Sequence, residues 1–266
     1  MATRNDFRSL GPLRRRISQA IADAFARISM AAVVVAIPLV ARAADGDFDT
    51  PERDRLKHVS EAGEARAGAV NVLLIGDSIM GGYFKGVQKE LAREANVVRH
   101  PGNAGDTRNG LKQLDAWLGD TRWDVIHFNW GLHDLCHRHP ESKETGHRDK
   151  VRGPVSVPLD EYEKNLETLV QRLEKTNARL IFATTTTVPE GEAGRHVGDD
   201  ARYNEAALRV MKRHAIPVDD LHAVTAGFKP EMFSKPADVH FSGAGNSALA
   251  KEVAAAIRRH GLETTK

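Results

Sequence analysis

The feature that most constrains this chain is an apolar run over residues 70–75, Val70-Asn71-Val72-Leu73-Leu74-Ile75, which stops at Gly76. A strand with one wet face alternates apolar and polar residues, whereas a continuous run of this length predicts a parallel strand buried on both faces. Such a strand needs helices above and below its sheet, and the rest of the chain has the pattern to supply them. Further strands are expected over 96–99, 124–130, 179–188 and 216–218. Helices are expected over 82–94, around Leu111, Leu114 and Leu118, and over 159–176, 201–214 and 245–260. About five strands alternating with helices predict a doubly wound α/β fold: a three-layer α/β/α sandwich with a central, mostly parallel five-stranded sheet. Ligands in such folds sit beyond the carboxyl ends of the strands. Residues 135–157, rich in His, Arg, Gly and Pro, break the rhythm and predict a long insertion or lid-like loop.

Charge divides the chain unevenly. The whole sequence of 266 residues carries a formal +2, yet the first 43 residues hold seven Arg against only Asp6 and Asp23, leaving residues 44–266 at −3. A nucleic-acid-binding reading therefore loses its main support. The order of that segment is a cationic stretch, an apolar run over 28–40, then Ala41-Arg42-Ala43, which is the order of a secretory signal cleaved after Ala43. Thirteen residues fall short of the ~20 needed to span a bilayer, so no stable membrane insertion is expected after cleavage. Retention as an anchor is the plainer alternative. A twin-arginine signal using Arg14-Arg15-Arg16 and a start at Met30 both stay open. Residues 44–68 read as a charged, Gly/Ala-rich linker and 69–266 as the domain, secreted or periplasmic. With Cys136 as the only cysteine, the domain folds without an intramolecular disulfide.

Four segments fall at predicted strand ends. Gly76-Asp77-Ser78 follows the strongest strand. It fits either an ordinary strand-to-helix turn with Ser78 as N-cap or an exposed serine nucleophile. A nucleophile needs an imidazole to take its proton and a carboxylate to fix that ring's tautomer; Asp238-Val239-His240 offers both just before the closing helix. Asn103-Ala104-Gly105-Asp106-Thr107 and Asn129-Trp130-Gly131-Leu132-His133-Asp134 end the second and third strands. Acyl transfer requires donors aimed at a developing oxyanion, and a glycine N–H such as that of Gly105 can approach a substrate closely.

Together and in this order, the four segments resemble the SGNH hydrolases, also called the GDSL esterase/lipase superfamily, over about 70–259. The resemblance implies a flavodoxin-like sheet with Ser78 as nucleophile, His240 as base and Asp238 as its orienting acid. It also implies an oxyanion hole from the N–H groups of Ser78 and Gly105. Two departures stand out. The family's third block reads Gly-x-Asn-Asp, its Asn amide being the third donor, whereas here Gly131-Leu132-His133-Asp134 puts a histidine in that place; His133 through a ring N–H, or Asn129, are the candidates. The last block, Asp-x-x-His in the family, is one residue shorter here, as Asp238-x-His240.

The histidines at 127, 133, 137, 139 and 147, with Asp134, raise a metal reading. They sit among Arg138, Arg148 and Lys150, which repel a cation, and no metal or organic cofactor is expected. Trp117 and Trp123 read as core, while Trp130, next to Gly131, is a candidate for lining the substrate pocket. The whole reads as an exported serine ester hydrolase acting on a small-molecule or polysaccharide ester, foremost a carbohydrate O-acetyl esterase. The alternatives are a lipase, lysophospholipase or thioesterase, and, in another class, a non-catalytic carbohydrate-binding protein on the same fold.

Overall fold

The computed structural model describes residues 68–263; the expected signal segment and all but the last residue of the expected linker lie outside the described residues. Five strands, β1 (Val70–Ile75), β2 (Ala95–Arg99), β3 (Val125–Phe128), β4 (Arg179–Ala183) and β5 (Val218–Asp219), form one sheet in the order β2-β1-β3-β4-β5. Every pairing is parallel, so the sheet is wholly rather than mostly so. Among the described residues six α-helices accompany it: α1 (Ser78–Glu90), α2 (Thr107–Leu118), α3 (Leu159–Glu174), α4 (Asp199–Arg213), α5 (Leu221–Ala226) and α6 (Gly243–Ile257). Among the described residues no helix is long and apolar enough to cross a membrane.

The apolar run that predicts β1 ends in four buried residues, Val72 to Ile75, and β3 is buried at all four of its positions. Burial on both faces is what a parallel sheet between helical layers requires. Helix α1 begins at Ser78, four residues before the start read from the sequence, in spite of Gly81 and Gly82. Gly82 and Gly86 have a packing reason: an added Cβ at Gly82 would lie 2.5 Å from Asn246 Oδ1, and one at Gly86 would lie 2.5 Å from the Ala250 methyl. The missing side chains let α1 lie directly against α6.

Strand β4 ends at Ala183, not at Val188 as its composition predicts. Thr184 N–H still donates to the Asp219 carbonyl of β5 (3.0 Å), and after it backbone donors find helix side chains: Thr185 N–H donates to Asn204 Oδ1 (2.8 Å), Thr187 N–H to Thr225 Oγ1 (3.1 Å) and Val188 N–H to Asp200 Oδ2 (3.2 Å). The ladder stops because the two-residue β5 offers no further partner, and buried donors must still be satisfied. The closing helix is α-helical only to Ile257 and finishes in a π-turn over Arg258–Leu262.

The insertion at 135–157 is stitched in place. Antiparallel bridges join His137 to Val155 and Arg138 to Arg148. The loop after β4 holds it from outside, with His137 N–H donating to the Gly194 carbonyl (2.6 Å) and Lys150 N–H to the Ala193 carbonyl (2.9 Å).

Candidate active site

The turn after β1 is organised by Asp77, which takes the N-cap position in place of Ser78. Its side chain accepts the Ile79 N–H at 2.9 Å. Ser78 is thereby released from capping and becomes the exposed first residue of α1. Its own N–H belongs to the helix-terminal set that has no intrahelical acceptor. Beneath the turn, the Gly76 carbonyl accepts from His100 Nε2 (2.7 Å) and from the Ala104 N–H (3.1 Å), which ties the first and second strand ends together.

From the far end of the chain, the segment before α6 reaches the same serine. Ser78 Oγ lies 2.9 Å from His240 Nε2, and His240 Nδ1 lies 2.7 Å from Asp238 Oδ1. Burial pushes the Asp238 carboxyl up, but hydrogen bonds from the His240 ring and backbone and from Ser234 outweigh that and leave it below the ordinary range. Asp238 is therefore ionised at neutral pH and can only accept, so Nδ1 carries the ring proton and Nε2 presents a lone pair to the Ser78 hydroxyl. The shorter spacing of Asp238 and His240 is accommodated by a local turn. Asp238 Oδ1 also accepts the His240 backbone N–H (3.1 Å), with Ala237 ahead of it at φ 57°. Ser234 N–H donates to the His240 carbonyl (2.8 Å) and closes the segment into a small hairpin.

The second strand end brings Gly105 into the left-handed region (φ 61°), with its N–H donating to Asn103 Oδ1 at 2.8 Å. Asn103 is exposed, so an incoming anion can take its place. Asp106 caps α2 through the Asn109 N–H (2.9 Å).

The third strand end is fixed from several directions. The Trp130 carbonyl accepts from Tyr162 Oη (3.0 Å) and Thr185 Oγ1 (3.2 Å), and the Leu132 carbonyl accepts from Arg195 Nε (2.7 Å). Gly131 has φ 155°, and a Cβ there would stand 1.9 Å from Thr185 Oγ1, so only glycine fits. Asp134 is fully buried. It accepts the Thr107 N–H (2.8 Å) and hydroxyl (2.6 Å) on Oδ1, while Oδ2 has no partner. Burial drives its carboxyl up to about 8, only partly offset by the Thr107 bonds. His133 is half-buried, and the charges that act on its ring are Asp77 and Asp106, beside Ser78 and Gly105, together with Arg195 and Arg138.

Two sequence candidates fare differently. The Asn129 amide donates to the Ala183 carbonyl at 2.7 Å and so holds β3 to β4. Trp130 is 1 % exposed, stacked toward Trp117 with ring centroids 6.5 Å apart and packed on Gly110. It has no surface to offer a substrate, which corrects its reading as a pocket residue. The histidine cluster also disperses: His127 is drawn into the sheet, 2.9 Å from buried Asp219, while His137 packs edge-on to His196. Among the described residues no three His, Cys, Asp or Glu are arranged to hold a metal ion.

A family model for the GDSL-like lipases and acylhydrolases matches residues 74–248, which spans all four strand-end segments. The chain belongs to that family. Solved structures share its fold at low identity. An acetyl xylan esterase, AlAXEase, aligns at 18 % identity and TM-score 0.58 over 71 % of this chain and 100 % of its own. A lipase/acylhydrolase from Enterococcus faecalis aligns at 20 % and 0.59 over 74 % and 100 %. A variant of an acetyl xylan esterase from Geobacillus stearothermophilus aligns at 18 % and 0.55 over 77 % and 100 %. No curated protein matches the sequence of this GDSL hydrolase.

Sequence reasoning missed the props of the site: His100 under the Gly76 carbonyl, Arg195 on the Leu132 carbonyl, and the carboxylate that holds Arg195. Glu192, fully buried, accepts from Arg195 (2.9 Å), Arg148 (2.7 Å) and the Gly194 N–H (2.7 Å). Residues 189–196, Pro-Glu-Gly-Glu-Ala-Gly-Arg-His, are polar and glycine-rich and read as an ordinary exposed loop, so no local signal identifies Glu192 or Arg195.

Proposed function

We propose that this GDSL hydrolase is an exported serine esterase that removes O-acetyl groups from carbohydrate. The observation that carries the reading is the chain of short contacts from exposed Ser78 through His240 to ionised Asp238. In the proposed cycle His240 Nε2 takes the Ser78 proton as Oγ attacks the ester carbonyl. The oxyanion is held by the N–H groups of Ser78 and Gly105 and by the His133 ring. Collapse of the intermediate breaks the ester C–O bond. The departing alkoxide takes the proton back from His240 and leaves acyl-Ser78. Water then attacks with its proton passing to Nε2, and the second collapse frees the acid and restores the serine.

The acetyl substrate is supported by the two fold neighbours that act on acetyl xylan. The export reading rests on the cationic and apolar order of residues 1–43 and on the mildly acidic remainder. Purified protein and its Ser78→Ala variant, assayed on short p-nitrophenyl esters and on acetylated xylan, test the whole. Loss of at least 10³-fold in kcat is expected for the variant, with acetate preferred over acyl chains of eight carbons or more. Equal activity of the two proteins would remove the serine mechanism, and a long-chain preference would move the substrate to lipids. Expression with periplasmic fractionation tests export: a mature form beginning at residue 44 is expected.

A further inference from the structure

The family's third block supplies its donor from an asparagine amide, which always carries N–H. An imidazole does the same work only if its proton sits on the correct nitrogen and the ring is aimed. Arg138 provides a means for this. Its Nη2 lies 3.5 Å from His133 Nδ1, while its Nη1 donates to the Gly146 carbonyl. Its backbone is pinned as well: Arg138 N–H donates to the Pro154 carbonyl (3.1 Å), and Gly153 passes so close that a Cβ there would stand 2.5 Å from the Arg138 carbonyl. Arg138 makes no ion pair with a carboxylate among the described residues, so its charge is not neutralised locally.

A guanidinium has five donors, no acceptor and no accessible neutral form. Facing Nδ1, it tolerates a lone pair there and opposes a proton. The groups that act on His133 are Asp77 from the β1–α1 turn, Asp106 at the α2 cap, Arg195 from the loop after β4, and Arg138 itself. Burial together with the two arginines outweighs the two aspartates and holds the ring below its ordinary pKa.

We propose that Arg138 is a positioning residue that holds His133 as the Nε2–H tautomer, so that an imidazole can serve as the third oxyanion donor. The inference rests on the esterase reading for its catalytic consequence, though the tautomer itself does not depend on that reading.

Two measurements test it. Nitrogen-15 imidazole spectra of the whole protein, with His133 assigned by its loss in H133N, read the tautomer directly. The expected result is unprotonated Nδ1 and protonated Nε2 in the wild type, and a tautomer-averaged signal with a raised titration midpoint in R138M. A protonated Nδ1 in the wild type would overturn the proposal. Kinetics on p-nitrophenyl acetate then compare R138M in two backgrounds. A fall of about tenfold in kcat with KM within twofold is expected when His133 is present, a fraction of the 10²–10³ for removing an oxyanion donor outright. In the H133N background the same substitution should change kcat by less than twofold. Equal losses in both backgrounds would overturn the positioning role. R138K, which keeps a cationic donor, should recover part of the loss, and it carries the spectral test if R138M does not fold. If Ser78→Ala leaves activity intact, the esterase reading fails while the spectra still decide what Arg138 does to His133.

Discussion

In the proposed mechanism two imidazoles serve the Ser78 turn, with opposite partners at the same ring nitrogen. His240 Nδ1 faces the carboxylate of Asp238 at 2.7 Å, and His133 Nδ1 faces the guanidinium of Arg138 at 3.5 Å. A carboxylate accepts a proton bond and so leaves Nε2 as a base. A guanidinium donates and so leaves Nε2 as a donor. On the proposed reading the same side chain is fitted to two tasks, proton acceptance in one place and charge stabilisation in the other, by the sign of what stands behind it. The supports differ as well. His240 sits on a short hairpin before α6 whose aspartate is two residues away, whereas His133 is held by segments far apart in the chain, including Arg195 and Thr185.

The largest effect that would break this contrast is at the base. His240→Gln should lower kcat on the order of 10⁴–10⁶-fold, because it removes the imidazole that faces Ser78 Oγ at 2.9 Å. Asp238→Asn should cost less, about 10²–10⁴-fold, since an amide can present its N–H to Nδ1 and favour the wrong tautomer while the ring stays in place. Steady-state kinetics rank the two, and an Asp238 loss as great as that of His240 would mean the carboxylate does more than orient. At the third block, Gly131→Ala should destabilise the fold by about 2–4 kcal/mol in urea melts, because its Cβ meets Thr185 Oγ1 at a φ that disfavours L-residues. Pairing it with Thr185→Ala should recover part of that loss. Unchanged stability in the single variant would show that the turn carrying His133 is looser than its contacts indicate.

The effect furthest from the chemistry is a pH dependence of stability from Asp134. Its folded-state pKa of about 8 stands above the ordinary 3.8 because the group is buried. Between those values the folded chain keeps a proton that the unfolded chain has lost, so stability falls as pH rises from about 4 to about 8 and this slope vanishes above that. Asp134→Asn removes the titration and should flatten this part of the profile in melts at successive pH values. An identical slope in the variant would place the pH dependence elsewhere.

Much of the fold is legible in the sequence because it is written in local pattern. The runs that form β1 and β3 are buried by their neighbours whatever the details, and glycine and Asx residues mark the strand ends. What is not legible depends on distant partners. Trp130 beside Gly131 is a candidate for the pocket from sequence, and only its packing with Trp117, Gly110 and Phe128 shows it to be core. Thr184 to Thr187 have strand composition, yet side chains from α4 and α5 take the backbone N–H groups of Thr185 and Thr187. Arg138 and Arg195 look like surface charge until the insertion and the loop after β4 fold over the third block. The Ser78–His240–Asp238 contact joins residues 162 positions apart, and there the resemblance of motifs supplied what spacing alone does not.

The most direct test of the central claim is covalent. The purified protein should be treated with a fluorophosphonate probe and its peptides mapped by mass spectrometry. The account predicts a single adduct, on Ser78, whose formation slows at least a hundredfold in His240→Gln. An adduct on another residue, or no adduct in protein that still hydrolyses p-nitrophenyl acetate, would contradict it.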